Sequence, residues 1–241
     1  MNADSVTELR QHTLRGGQRD TLVSLFEREF VVSLKEAGCF MRGTFRDLVD
    51  PKRFVRFRGF ANMESRRQAS ETFYDGFVWR THGEAANSTM IDSDNELLLK
   101  PVTSGTMDVP NEQSEHGASG HCSACLCYMN GGSTDEFSTF FRTAVRARLA
   151  ELGVAPKMEL QTETAQNTFL RLPVREREQV FAWIGSLSGV EEFRSFQDRW
   201  TAQAGWMDSA AGSRDACAEA QTGDPAALPD CGLAGEAAHG Y

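Results

Sequence analysis

Gly16 and Gly17 are matched 115 residues later by Gly131 and Gly132, and the match continues without a gap. Asp20 falls on Asp135, Leu22 on Phe137, Leu25 and Phe26 on Phe140 and Phe141, and Gly38 on Gly153. Further on, Phe54-Val55-Arg56-Phe57 falls on Phe169-Leu170-Arg171-Leu172. Identity is low, yet turn glycines, apolar helix positions and strand residues keep their order and chemistry. A period this long is the size of a small domain, so the chain reads as two copies of one folding unit.

Each copy predicts the same series of elements. A strand (6–14, then 123–130) meets the Gly-Gly turn, and a long amphipathic helix follows. Leu22, Leu25, Phe26, Phe30 and Leu34 form its stripe in the first copy. Phe137, Phe140, Phe141, Val145, Leu149 and Leu152 form it in the second, with the i, i+3, i+4 rhythm of a helix that buries one face. Gly38 and Gly153 stand where a helix C-cap favours glycine. Two strands come next (39–48 and 52–60; 157–163 and 168–172), then a second helical region (63–82; 175–204). Glu96-Leu97-Leu98-Leu99-Lys100 closes the first unit as a strand, while the second shows no matching final strand. The order βαββαβ is the ferredoxin-like arrangement. Its sheet carries both helices on one face and leaves the other bare, so two such sheets can bury those faces in a barrel. The expected fold class is therefore α+β: two tandem ferredoxin-like units forming a body like a dimeric α/β-barrel. The units span 1–101 and 122–207.

Charge and composition mark out the remainder. Of the formal net charge of −9, residues 208–241 carry −5 and residues 101–121 carry −3, leaving −1 elsewhere. The Ser- and Gly-rich stretch 102–121 reads as a flexible linker. The Ala-, Gly-, Asp- and Pro-rich stretch 208–241 reads as a disordered tail, because it has too little apolar surface to offset its ordering entropy. A nearly neutral body has no basic stripe for phosphate backbones, which argues against nucleic-acid binding. No apolar run approaches the ~20 residues of a membrane helix. The opening Met-Asn-Ala-Asp-Ser-Val-Thr-Glu has neither a basic nor an apolar leader region. A cytoplasmic protein with mostly reduced cysteines is expected. Two copies in one chain can pair internally as a monomer or across chains as a homodimer.

The first copy resembles the NIPSNAP family. The resemblance rests on Glu8-Leu9-Arg10, Leu14 and Gly17; on Phe45-Arg46-Asp47-Leu48; on Phe57-Arg58-Gly59-Phe60; and on Met63 with Arg66. Phe73-Tyr74-Asp75-Gly76, Val78-Trp79, His82, Ala86-Asn87 and Asp92-Ser93-Asp94-Asn95 complete it, so that residues 6–101 are covered. The second copy looks like a diverged member. Position 12, often Tyr in the family, is His here. The resemblance implies a dimeric α/β-barrel fold and no defined activity. Proteins sharing that fold include cofactor-free monooxygenases, haem-degrading enzymes and lactone isomerases, so the fold leaves the function open.

Strand alternation sorts the candidate site residues. In strand 52–60, Val55 and Phe57 share one parity and Arg56, Arg58 and Phe60 the other. The apolar parity is expected to meet the helices, and the arginine-bearing parity to line a cavity between the two sheets. Arg10 and Arg58 would anchor an acidic or carbonyl-bearing small molecule there, with His12 as the catalytic proton carrier. The alternative is a structural ion-pair network in which Glu8 and Asp75 satisfy the arginines. Trp79 and His82, at i and i+3, would add an indole wall and an imidazole for an aromatic ligand. A haem ligated by His12 or His82 is the one cofactor with candidate ligands; otherwise none is implied. Cys125 and Cys127 fall on Arg10 and His12 at the 115-residue offset, so they too are expected to face the inter-sheet space. There they are either core residues or a thiol with His12 of the other sheet as its base. Cys122, Cys125 and Cys127 lack a second Cys/His pair at zinc spacing, so no metal site is predicted. The chain has no phosphate-binding glycine loop, no dinucleotide fingerprint and no Gly-x-Ser-x-Gly. The expected function is small-molecule binding between the sheets, with cofactor-free oxygenase or isomerase chemistry. A protein-interaction module with a filled core is the alternative.

Overall fold

The computed structural model describes residues 5–102, 121–129, 133–187, 190–202 and 233–237. The Gly131-Gly132 turn, nearly all of the expected linker and most of the expected tail lie outside the described residues. Among the described residues, no helix is long and apolar enough to cross a membrane.

In the first half, β1 (Val6–Leu14) leads into α1 (Arg19–Leu25), a π-helical turn (Phe26–Phe30) and α2 (Val31–Glu36). Then come β2 (Phe40–Asp47), β3 (Arg53–Phe60), α3 (Met63–Tyr74), α4 (Phe77–Ser88) and β4 (Met90–Pro101). The Asn62 side chain caps α3 by accepting from the Ser65 amide, which satisfies one of the helix's orphan donors. The second half has the same order. It comprises β5 (His121–Tyr128), α5 (Thr134–Phe140), a π-helical turn (Phe141–Val145), α6 (Arg146–Glu151), β6 (Pro156–Thr162), β7 (Val180–Leu187), α7 (Val190–Ala202) and β8 (Leu233–Ala237). Both π-helical turns sit at the 115-residue offset. So do the left-handed glycines Gly38 (φ +96°) and Gly153 (φ +82°), a conformation open to glycine because it has no Cβ.

The eight strands close into one barrel in the order β1-β3-β2-β8-β5-β7-β6-β4, with every pairing antiparallel. Each half contributes four adjacent strands. The seams are β2 with β8 (Phe45 opposite Ala237) and β4 with β6 (Leu99 opposite Thr162).

Three sequence expectations need correction. Residues 168–172 are not a strand, although they resemble Phe54–Phe57. The third strand of the second half is β7, twelve residues further on than the ungapped offset places it, because 163–179 form a longer connection. Its register shows this: Cys125 pairs with Trp183 as Arg10 pairs with Arg56. The region expected to be helical from 175 accordingly begins with connection and strand, and its helix is Val190–Ala202. Finally, residues 233–237 of the expected disordered tail form β8. Two open strand edges, β2 and β5, supply main-chain partners for a segment with little apolar surface of its own.

The assignment of faces is also reversed. Leu9, Val55, Phe57, Leu97 and Leu99 of the first half meet Ala124, Leu126, Met158, Leu160, Val180, Ala182 and Ile184 of the second. These apolar side chains fill the barrel interior, so the predicted cavity between the sheets is closed by packing. The other parity faces the helices. In the first half it includes Val6, Leu14, Phe54, Phe60 and Leu98, packed against Leu22, Phe26, Phe30, Leu34 and Phe73. In the second half Cys125, Cys127, Phe181 and Trp183 pack against Phe137, Phe141, Phe193 and Phe196. A closed barrel encloses both sheet faces at fixed spacing and has no room to solvate charge, so the uncharged parity takes the interior. Leu160, with 0% exposure, is one of the interior residues. Leu160→Ala should cost about 2–5 kcal/mol in urea unfolding, since the closed sheet cannot collapse onto the void.

Candidate functional site

The helix-facing parity of the first sheet carries a cluster of buried charge. Cross-strand register sets Glu8 opposite Arg58, Arg10 opposite Arg56, and Arg10 opposite Glu96 on its other side. Arg58 is ion-paired to Glu8. Arg66, on the inner face of α3, reaches Glu8 Oε1 at 2.5 Å and Glu96 Oε1 at 3.0 Å and donates to Asn167 Oδ1 at 2.9 Å. Arg10 Nε lies 3.1 Å from Glu96 Oε2. Burial alone would raise the Glu8 pKa, but Arg58, Arg66 and Arg10 outweigh it and bring it down to about 2. For Glu96 burial dominates and the pKa is raised, with Glu8 adding to the rise.

Arg56 stands apart from these carboxylates. Its Nε and Nη2 lie 3.1 and 2.8 Å from His12 Nε2, and its guanidinium lies 4.6 Å from the Phe26 ring centroid. A guanidinium can only donate, so Nε2 accepts and the imidazole carries its single proton on Nδ1. Burial, followed by Arg56, Arg10 and Arg58, holds His12 well below the usual histidine range, so it is neutral. Its Nδ1 is buried without a hydrogen-bond partner. Burial, then Arg10 and Arg58, brings Arg56 down to about 9, which leaves it charged at neutral pH. Among the described residues no carboxylate lies within ion-pair distance of Arg56.

A cavity of about 220 Å³ separates this charged face from the helices. Arg10, His12 and Arg56 line one side. Phe26 and Phe30 of the π-helical turn, Phe73 and Tyr74 of α3, and Trp79 of α4 line the other. Trp79 lies back over Gly83, where a Cβ would come within 2.7 Å of the indole. The second half adds to the wall. From the 163–179 connection, Phe169 and Leu172 join the first half's core, and Arg171 and Leu172 line the cavity. Arg171 lies over the Tyr74 ring at 5.4 Å and is held by Asp75 at 3.0 Å.

Of the residues singled out from sequence, Arg10, His12 and Trp79 meet at this cavity, which lies beneath the helices and not between the sheets. Arg58 does not line it, because its charge is taken up by Glu8. His82 is partly exposed, 3.4 Å from Glu29 across the helix layer, and also lies outside it. Cys125 and Cys127 are buried beneath the second half's own helices, so His12 cannot approach them through the barrel. Arg56, Tyr74 and Arg171 were not singled out. Arg56 shares the parity of Arg58, and Tyr74 lies in the quoted Phe73-Tyr74-Asp75-Gly76 motif; nothing in the pattern around Arg171 signals its place.

The equivalent positions of the second half are occupied differently. Where the first half pairs Arg10 with Arg56 and His12 with Phe54, the second pairs Cys125 with Trp183 and Cys127 with Phe181. Trp183 fills its volume, against Phe141 and Phe196.

Fold and site together define an α+β barrel with one charged, aromatic-walled cavity beneath its first helix layer. Solved structures of NIPSNAP-type proteins are similar to part of the chain. A NIPSNAP family protein from Agrobacterium tumefaciens matches at 16% identity and TM-score 0.40, covering 44% of this chain and 92% of that one. A NIPSNAP-like domain protein from Burkholderia xenovorans matches at 17% identity and TM-score 0.39, covering 42% and 89%. A predicted monooxygenase from Lactobacillus acidophilus matches at 12% identity and TM-score 0.48, covering 84% of this chain and 88% of its own. No protein-family model and no curated protein matches the sequence. These likenesses concern fold alone.

The folded-state pKa of Glu8 lies below its ordinary 4.5, so its stabilisation is fully present above pH 4.5 and is lost as pH falls through about 2. Urea midpoints should therefore drop between those limits, and Glu8→Gln should flatten that acid limb. Arg66→Gln should cost about 3–5 kcal/mol at neutral pH, since two buried carboxylates lose a shared cation.

Proposed function

We propose that the first half binds a small organic anion with an apolar body, and that Arg56 and His12 receive its acidic or carbonyl group. The observation that carries this reading is the state of Arg56. It is a buried cation whose only hydrogen-bonding side-chain partner among the described residues is the neutral His12, which lines the same cavity and whose buried Nδ1–H has no partner. Taking an ion out of water costs several kcal/mol, and an anion at this point would offset that cost. The aromatic wall opposite suits an aryl or short alkyl body.

The chemistry such a site favours is stabilisation of an oxyanion, the requirement of a cofactor-free isomerase or oxygenase that passes through an enolate or phenolate. His12 serves there as hydrogen-bond donor through Nδ1 and not as base, because Arg56 holds Nε2. Haem does not fit: Arg56 occupies one ring nitrogen of His12, His82 stands outside, and the cavity falls below the ~300 Å³ at the low end of ligand sites. The alternative, a protein-interaction module, is favoured by the filled barrel interior but leaves the exposure of Arg56 to a cavity unexplained.

Phenylpyruvate, an aryl acid with a carbonyl beside its carboxylate, is a suitable probe. Calorimetry should show one molecule bound per chain, because Trp183 occupies the second half's equivalent volume. Arg56→Gln should weaken binding by about 10- to 100-fold, the loss of a charge-assisted hydrogen bond of ~1.5–3 kcal/mol. Equal affinity in both proteins would overturn the reading.

A further inference from the structure

Binding of an anion by Arg56 and His12 leaves the buried phenol of the cavity unused. Tyr74 is 6% exposed and lines the same space. Its hydroxyl oxygen accepts from Arg10 Nη1 at 3.2 Å, and Arg10 is itself fixed by Glu96 at 3.1 Å. The Trp79 ring meets the Tyr74 ring edge-on at 4.7 Å, Phe169 stacks on it at 5.8 Å, and Arg171 covers it at 5.4 Å. A phenol that accepts from a guanidinium loses its own proton more readily, because the resulting phenolate keeps that donor as a charge-assisted partner. The same small cavity is lined by Arg56 and by His12, whose Nδ1–H has no partner, and both are suited to negative charge. A basic oxygen and a separate anion hole on one aromatic-walled space are the two parts that removal of a proton from carbon requires.

We infer that Tyr74 is the proton-transfer residue of this site, and that the substrate is a small aryl or alkyl acid with an acidic C–H beside a carbonyl. The inference rests on the anion-binding reading above. In the step, the Tyr74 phenolate oxygen takes the proton from carbon. The C–H electron pair becomes the new C=C bond, and the carbonyl π pair moves onto oxygen, where Arg56 and His12 hold it. Return of the proton from the Tyr74 hydroxyl, to the same carbon or to another atom of the enolate, completes an exchange or an isomerisation without any oxidant or cofactor. His12 cannot take the proton, since Nε2 faces Arg56 and Nδ1 already bears one.

The charges around the phenol agree with this role. Glu8 and Arg10 come from β1, Arg56 and Arg58 from β3, Glu96 from β4, Arg171 from the 163–179 connection and Asp75 from the end of its own helix. Burial works to raise the Tyr74 pKa, but Arg10, Arg58 and Arg56 outweigh it and hold the phenol below the ordinary tyrosine range, with Glu96 opposing them.

The test uses the full chain with phenylpyruvate in D₂O, following loss of the C3 protons by NMR. Wild type should accelerate the loss by about 10²–10⁴-fold over buffer, the range of general acid–base catalysis. Tyr74→Phe should lose at least about 10-fold of that while binding phenylpyruvate as tightly as wild type. Unchanged exchange in a variant that still binds overturns the role of Tyr74 and leaves the anion site standing. Absence of phenylpyruvate binding to wild type removes the anion site, and the role of Tyr74 with it. Should Tyr74→Phe fail to fold, wild type alone decides. The chain has three tyrosines, so an ultraviolet difference titration resolves them. The exchange rate should rise with one of the three steps, and a flat profile overturns the inference.

Discussion

Eight strands that close on themselves leave an interior of fixed width, and every side chain pointing inward must share it. Leu9, Phe57 and Leu99 of one half and Leu126, Leu160 and Ile184 of the other do so without a charge among them. Neither half could bury this face alone: each four-stranded sheet has two open edges and one bare side. Joining them at β2–β8 and β4–β6 removes both liabilities together. The consequence for function is indirect but strong. Once the interior is taken by apolar side chains, the charged residues Glu8, Arg10, Arg56, Arg58 and Glu96 of the alternating strands turn outward, beneath the helices.

Beneath the first helix layer that requirement is met with a network. Arg66 from α3 bridges Glu8 and Glu96, and Asn167 of the second half completes its hydrogen bonding. Four buried arginines (Arg10, Arg56, Arg58 and Arg66) face two carboxylates, so the layer carries surplus positive charge. The surplus concentrates at Arg56, which lines the cavity and has no carboxylate within ion-pair distance among the described residues. Beneath the second helix layer the same strand positions hold Cys125, Cys127, Phe181 and Trp183, and close packing takes the place of charge. One topology thus supports a polar, open layer and an apolar, filled one.

The halves are not independent, because the second completes the first. The connection 163–179 is longer than its counterpart between β2 and β3, and the extra length lies across α3 of the first half. Thr168 donates to the Met63 carbonyl, Phe169 and Leu172 enter the core, and Arg171 stacks on Tyr74. A segment that seals a neighbour's cavity with two apolar anchors and a polar rim resembles an interdomain contact more than a surface loop.

The βαββαβ order of the first half and the repeated strand–helix–strand opening of the second were legible from residues alone, because helix stripes such as Leu22-Phe26-Phe30 and turn glycines such as Gly38 and Gly153 are local features, set within one or two turns of chain. Arg10, His12 and Trp79, which line one cavity, could be singled out for a similar reason: charged and aromatic side chains on buried elements demand an explanation wherever they point. Which way they point was decided by closure. Parity separates Arg56 from Phe57, but only the completed barrel determines that Phe57 faces inward and Arg56 faces the helices. The strand at 233–237 and the reach of Arg171 to Tyr74 were likewise set by tertiary structure. Their partners lie far away in sequence, and main-chain pairing and cross-unit stacking leave no periodic trace in the order of residues.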